Sequence, residues 1–234
     1  MSPLLAEFIG TMVLILFGNG VNANVSLSKS YAQNAGWLVI ALGWGLAVFI
    51  AVFISGDASG AHINPAVTIA LATVGKFEWI NVPGYIVMQV LGAFTGAALT
   101  FIHFKPHFDE TENADTKLGL FCTGPAIKQT FQNLLSEVIG TFALVFPIFF
   151  LVSGDGLGSL SALPVGLLVV AIGLSLGGTT GYAINPARDF GPRLFHALAP
   201  IKNKRDSNWS YAWIPIIGPI LGALLASVVF LLVS

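Results

Sequence analysis

The chain has 234 residues, of which 9% are charged and 55% apolar, with a formal net charge of -1. An ordinary soluble domain carries about 25% charged residues, so this composition excludes a water-facing globule and points to lipid as the solvent. No basic patch of the kind that holds nucleic acid is present, and Cys122, the single cysteine, excludes an internal disulfide.

A helix needs about 20 apolar residues to cross the hydrocarbon, and six segments qualify. Residues 2–21 come first; they lack a basic leader and a small-residue cleavage site, and Glu7 interrupts them, so they read as a retained span. Residues 35–54 form the second span. Residues 65–73 are moderately apolar but too short to cross, which suits a re-entrant half-helix. Residues 83–102 form the third span. The connection 103–128 carries Asp109, Glu110, Glu112 and Asp115 with Lys105 and Lys117, and reads as a solvated loop and not a metal site. Residues 134–152 and 160–176 are the fourth and fifth spans, the fifth being the shorter. Residues 186–198 repeat the pattern of a half-helix, 201–210 form a polar turn, and 211–233 are the last span. The expected fold is an all-α membrane protein with six transmembrane helices and two re-entrant half-helices.

An internal repeat organises these elements. AEFIGT at 6–11 returns as SEVIGT at 136–141, GAHINPA at 60–66 as GYAINPA at 181–187, and QVLGA at 89–93 as PILGA at 219–223. The halves are 1–130 and 131–234. Three spans per half is an odd number, so the second copy enters from the opposite side, giving an inverted repeat with the half-helices facing each other at mid-membrane. Lysine and arginine cluster in the first, third and fifth connections, with Lys76 alone on the other side. By the positive-inside rule alone, both termini would lie outside.

Asn64-Pro65-Ala66 and Asn185-Pro186-Ala187 carry the function. Asparagine is a good N-cap, and proline suits the first helical turn. Each triplet therefore starts a half-helix. Inverted repeats bring the two starts head to head. Each N-terminus holds about half a positive charge, which together bar cations and protons, while the asparagine amides stay free to donate to a passing oxygen. Arg188 follows the second triplet, and facing a pore it would repel cations and hydrogen-bond hydroxyls.

With its paired NPA motifs, two E-x-x-G-T starts and six spans, the chain resembles the major intrinsic protein family of aquaporins and glycerol facilitators over its whole length. The resemblance implies a right-handed bundle around a narrow pore, a homotetramer with one pore per subunit in the cell (plasma) membrane, and both termini in the cytoplasm, against the lysine and arginine count. It also implies a selectivity constriction at Trp44, Gly173, Tyr182 and Arg188. Gly173 stands where strict water channels carry histidine. Trp44 and Tyr182 would form an aromatic corner opposite Arg188, suited to a molecule with carbon on one side and hydroxyls on the other. Asp189, Arg193, Pro215 and Ile216 are similar to the glycerol-conducting branch. Tyr182 departs from the phenylalanine of typical glycerol facilitators, and its hydroxyl is expected to make the corner more polar and tighter, shifting discrimination by ~1–2 kcal/mol.

Glu7 and Glu137 sit inside spans, where carboxylates relay protons in some transporters. In the family they instead accept hydrogen bonds from the loops leading into the half-helices. His62 is expected to line a vestibule or brace its loop, Asp189 to anchor Arg193 or a backbone amide, and His196 to be structural. Gly92, Gly96, Gly218 and Gly222 would allow close helix contact. The function expected is a passive channel for glycerol, other small uncharged solutes and some water. The alternatives are a channel preferring water, hydrogen peroxide or a small neutral acid, and a coupled secondary transporter. No nucleophile–base set or metal-ligand cluster suggests an enzyme, and neither a cofactor nor a metal is called for.

Overall fold

A computed structural model describes residues 1–151 and 157–234. Helix α1 spans Pro3–Ser26 and is capped by Ser2, whose Oγ accepts from Leu5 N at 3.4 Å, with Pro3 in the first turn. Its neighbours in sequence are α2 (Trp37–Ser59), the short α3 (Pro65–Thr73) and α4 (Val82–His103). Two small helices follow, α5 (Lys105–Glu110) and α6 (Ala114–Phe121). The second half contains α7 (Thr130–Leu151), α8 (Leu163–Leu176), α9 (Pro186–Leu198) and α10 (Ile214–Val233). Val152, the expected end of the fourth span, lies outside the described residues.

Helices α1, α2, α4, α7 and α10 are long and apolar enough to cross a bilayer. Helix α8 is not, because its 14 residues rise only about 21 Å at 1.5 Å each. The turn of Gly177–Gly181 then carries the chain on toward the second half-helix. Large apolar side chains such as Leu46, Phe53, Leu91, Leu167, Leu174 and Leu225 are exposed on the outer faces. In water that surface would be unstable, but in hydrocarbon it is ordinary.

The packing is an inverted repeat. Helix α1 packs on α2 and α4, α7 packs on α8 and α10, and α2 crosses α8. Each half-helix packs chiefly against the third long helix of the opposite half, α3 on α10 and α9 on α4. Close approach explains the paired glycines. A Cβ on Gly92 would lie 2.3 Å from Phe8 O, and one on Gly222 would lie 2.3 Å from Val138 O, contacts at equivalent positions of the two halves. Gly45 and Gly166 meet reciprocally where α2 crosses α8, each Cβ position falling 2.7–2.8 Å from the other's carbonyl oxygen.

The connection 103–128 departs from expectation. It is a packed cap and not a solvated loop. Phe108, Leu118, Leu120 and Phe121 are buried, and so is Lys117, whose Nζ donates to Lys202 O at 2.6 Å. The acidic residues that suggested solvent are used at its rim, where Asp115 pairs with Arg205 and Glu110 with Lys29. Enough apolar side chains lie between those charges to cover the ends of α1 and α9, which a count of charges does not register.

Candidate functional site

Two cavities of about 500 and 440 Å3 enter the molecule, and Trp44, Tyr182 and Arg188 line both. Three of the four residues expected at a constriction thus stand together where the two cavities adjoin. On one side the 440 Å3 cavity runs past Asn64 and Asn185 to Lys76, and on the other the 500 Å3 cavity opens past Asn22, Cys122 and Thr123 to Lys128 and Arg205.

The half-helices meet at their N-termini. Asn64 Oδ1 accepts from Ala66 N at 2.9 Å, capping α3, while Asn185 Oδ1 accepts from Ala187 N at 3.0 Å and Arg188 N at 3.2 Å, capping α9. Pro65 and Pro186 occupy the first turns, where no intrahelical donor is needed. The two caps are tied together, since Asn64 Nδ2 donates to Ile184 O at 2.8 Å and Asn185 Nδ2 donates to Ile63 O at 2.9 Å. The expectation of free amides needs correcting: each amide commits one hydrogen to the other loop and leaves its second without a partner among the described residues. That tie locks the two positive helix ends side by side.

The loops entering these caps are strained. Ala61 and Ile63 in one, and Tyr182 and Ile184 in the other, have φ between 38° and 49°, a left-handed conformation that costs side-chain-bearing residues about 1–2 kcal/mol each. Two buried carboxylates hold them there. Glu7 accepts from His62 N at 2.9 Å, Ile63 N at 2.7 Å, Ser59 Oγ at 2.6 Å and Gln89 Nε2 at 2.7 Å. Glu137 accepts from Ala183 N at 3.0 Å, Ile184 N at 2.9 Å and Thr180 Oγ1 at 2.7 Å. With their amides turned to the carboxylates, the carbonyls of Gly60, Ala61, His62, Gly181, Tyr182 and Ala183 accept no hydrogen bond from other described residues. The 440 Å3 cavity is also lined by Leu14, Val48, Val52, Leu144, Ile148 and Val169, so its lining combines loop backbone with aliphatic side chains.

Two arginines in α9 have opposite fates. Arg193 is fully buried and uses its donors internally, on Asp189 at 2.7 and 2.9 Å, Ser207 O at 2.7 Å, Asn208 O at 3.2 Å and Thr123 O at 3.0 Å. Asp189 also accepts from Thr123 N at 2.8 Å and Thr123 Oγ1 at 2.6 Å, so it braces the cap and forms no direct ion pair with Arg188. Among the described residues the Arg188 guanidinium makes a single long hydrogen bond, Nη1 to Phe121 O at 3.4 Å. Arg188 lines both cavities, and its Cζ lies 4.1 Å from the centroid of Trp44, a cation–π stack.

Tyr182 and Gly173 act as a pair, and differently from expectation. A Cβ on Gly173 would lie 2.9 Å from Tyr182 Oη and 3.0 Å from Cζ, so the tyrosine ring occupies the space the glycine vacates. Gly173 lines neither cavity. The Tyr182 hydroxyl is buried without a partner among the described residues, so it does not add polarity to the corner. Trp37 fixes this arrangement by donating from Nε1 to Gly173 O at 2.8 Å and packing edge-on to Tyr182 at 5.8 Å.

His62 lines the 440 Å3 cavity, with Nδ1 3.2 Å from Thr68 Oγ1 and its ring against Phe77 and Tyr85. His196 is away from both cavities, with Nδ1 2.8 Å from Ser207 Oγ. Sequence reading missed Asn22, whose Oδ1 accepts from Trp44 Nε1 at 3.1 Å, and Lys204, whose Nζ donates to the carbonyls of His196, Ala197 and Ala199 at 2.6–2.8 Å. Lys204 closes the negative end of α9. Nothing in the local sequence signals either partnership.

Comparison with known proteins agrees with this architecture. The chain is 58% identical over 227 residues to a protein of Thermotoga maritima named a probable glycerol uptake facilitator, covering 97% of each chain. It is 54% identical over 230 residues to a glycerol uptake facilitator protein of Streptococcus pneumoniae, covering 98% of each. The X-ray structure of the aquaglyceroporin from Plasmodium falciparum superposes with a TM-score of 0.85 at 31% identity, covering 96% of this chain and 93% of that one. The family profile described as "Major intrinsic protein" matches residues 1–230, and the chain belongs to that family of integral membrane proteins.

Proposed function

We propose that the protein is a passive channel through which glycerol, other small uncharged solutes and some water cross the membrane down their gradients. The observation that carries this reading is Arg188 at the junction of the two cavities, with most of its guanidinium donors unspent and its face stacked on Trp44. A polyol can lay its carbon chain on the indole and ring of Tyr182 while its hydroxyls take the arginine N–H groups. Beyond the constriction, the free loop carbonyls accept from hydroxyls, the second hydrogens of Asn64 and Asn185 donate to them, and the aliphatic wall covers the CH groups. Cations meet the guanidinium and then two helix N-termini, each worth about half a positive charge. In this reading Gly173 sets the width by housing Tyr182, Glu7 and Glu137 hold the loops, His62 borders the path and Asp189 supports the rim.

A coupled transporter needs an acid free to bind an ion, and both buried glutamates are committed to loop amides. The two halves, 1–130 and 131–234, make one integral domain. The assembly is a homotetramer with a pore in each subunit, set in the plasma membrane with both termini in the cytoplasm, as the family resemblance implies. Stopped-flow light scattering on proteoliposomes tests the function. Glycerol permeability well above that of empty vesicles is expected. No increase for glycerol refutes the reading, and an increase for water alone replaces it with a water channel.

A further inference from the structure

Trp44 is held by Gly18, Asn22 and Arg188. Beneath it, a Cβ on Gly18 would fall 2.3 Å from the indole ring, so only glycine leaves room for the ring there. Against its face lies the Arg188 guanidinium, at 4.1 Å. Its N–H is taken up by Asn22 Oδ1 at 3.1 Å. Gly18 and Asn22 stand one turn apart on the same face of α1, so a single helix supplies both the floor and the acceptor. Asn22 is itself nine-tenths buried, borders the 500 Å3 cavity, and is oriented by a long 3.5 Å hydrogen bond from Nδ2 to Leu120 O. The next carbonyl, Phe121 O, accepts from Arg188. The unpaired carbonyls at the end of α6 thus touch both walls of the constriction.

We infer that Asn22 is a positioning residue for solute selection, acting by engaging the Trp44 N–H so that the indole offers only carbon to the solute. The inference rests on the glycerol-channel reading and deepens it. A buried indole N–H without an acceptor is costly, so removal of Asn22 leaves the ring to turn its N–H toward the lumen, where a solute or water oxygen is the remaining acceptor. A corner that was apolar becomes a hydrogen-bond donor. Water gains from that change, and a polyol loses the apolar surface that seats its carbons.

The test is a double-mutant cycle on the full-length protein in proteoliposomes, reading the ratio of glycerol to water permeability. Asn22→Leu is expected to lower the ratio about three- to tenfold, the size of effect that one buried polar group has on discrimination. Asn22→Ala, which adds no bulk, is expected to act in the same direction and stands in if the leucine variant does not fold. In a Trp44→Phe background, which has no N–H to hold, replacing Asn22 is expected to leave the ratio unchanged. An unchanged ratio in the single variants overturns the inference, as does an equal shift with and without the indole. Failure of the channel reading itself would show earlier, as an unmodified protein that passes no glycerol.

Discussion

Replacement of Glu137 by glutamine keeps the shape of the side chain and exchanges one carboxylate oxygen for an NH2 group. The carboxylate accepts three hydrogen bonds, two of them from Ala183 N and Ile184 N. Placed toward Thr180, the new NH2 can donate to the hydroxyl but confronts Ala183 N; placed the other way, it confronts Ile184 N. Either way one buried amide is orphaned, at about 1–3 kcal/mol, and the two surviving bonds fall from charge-assisted to neutral strength, at about 1 kcal/mol each. The total is about 3–5 kcal/mol. The bonds being lost are those that hold Tyr182 and Ile184 at φ of 38° and 44°, a conformation that itself stores about 1–2 kcal/mol per residue. Relaxation of the loop is thus downhill, and it moves the Tyr182 ring and the carbonyls beside it. Glycerol permeability per reconstituted channel is expected to fall at least tenfold, measured by stopped-flow light scattering with the reconstituted amount quantified. A Glu137→Gln channel with unaltered glycerol permeability and thermal stability would show that the loop keeps its shape without the carboxylate, and would refute the reasoning.

Further outcomes follow from the same geometry. Tyr182→Phe removes a buried hydroxyl that has no partner, so the glycerol-to-water ratio should stay within about twofold while thermal stability holds or rises by up to ~1 kcal/mol; a large loss of selectivity would place the hydroxyl in the lumen. Gly173→Ala puts a methyl group 2.9 Å from Tyr182 Oη, which should drive the ring into the passage and reduce glycerol flux more than water flux in paired osmotic assays. Gly222→Val confronts Val138 O, already 2.3 Å from a Cβ position, and should lower the detergent-solubilised melting temperature by several degrees, an overpacking cost of about 1–3 kcal/mol. Lys204→Met uncaps three carbonyls of α9 and should destabilise the fold by about 2–4 kcal/mol, read as a lower thermal midpoint.

The half-helices were legible to the residue. Both Pro65–Thr73 and Pro186–Leu198 begin where an Asn-Pro pair supplies a cap and a pre-set first turn, and such signals are local. So were the long spans, because a bilayer imposes a length and a composition that any neighbouring partner leaves unchanged. The paired motifs also revealed the inversion, since an odd number of spans per repeat is a matter of topology alone. Span ends were read less well, as with α1 running on to Ser26, because a helix does not stop where its hydropathy does.

Contacts between distant segments were decided by tertiary structure. The cap formed by α5 and α6 was hidden by its charges, which pair with Lys29 and Arg205 across long stretches of chain. The direction of the Tyr182 hydroxyl depends on the space left by Gly173 on another helix, and the orientation of Trp44 depends on Asn22 on a third. Arg188 and Arg193 are the same residue type on the same short helix, yet one is consumed by Asp189 and three carbonyls while the other keeps most of its donors unspent. By itself the sequence determined which long segments suit a bilayer, where the half-helices start and that two copies oppose each other, because those follow from hydrophobicity, capping and counting. Only the folded chain decided which donors remain unspent where the two cavities adjoin, because a hydrogen bond between remote residues exists only once packing has brought them within reach.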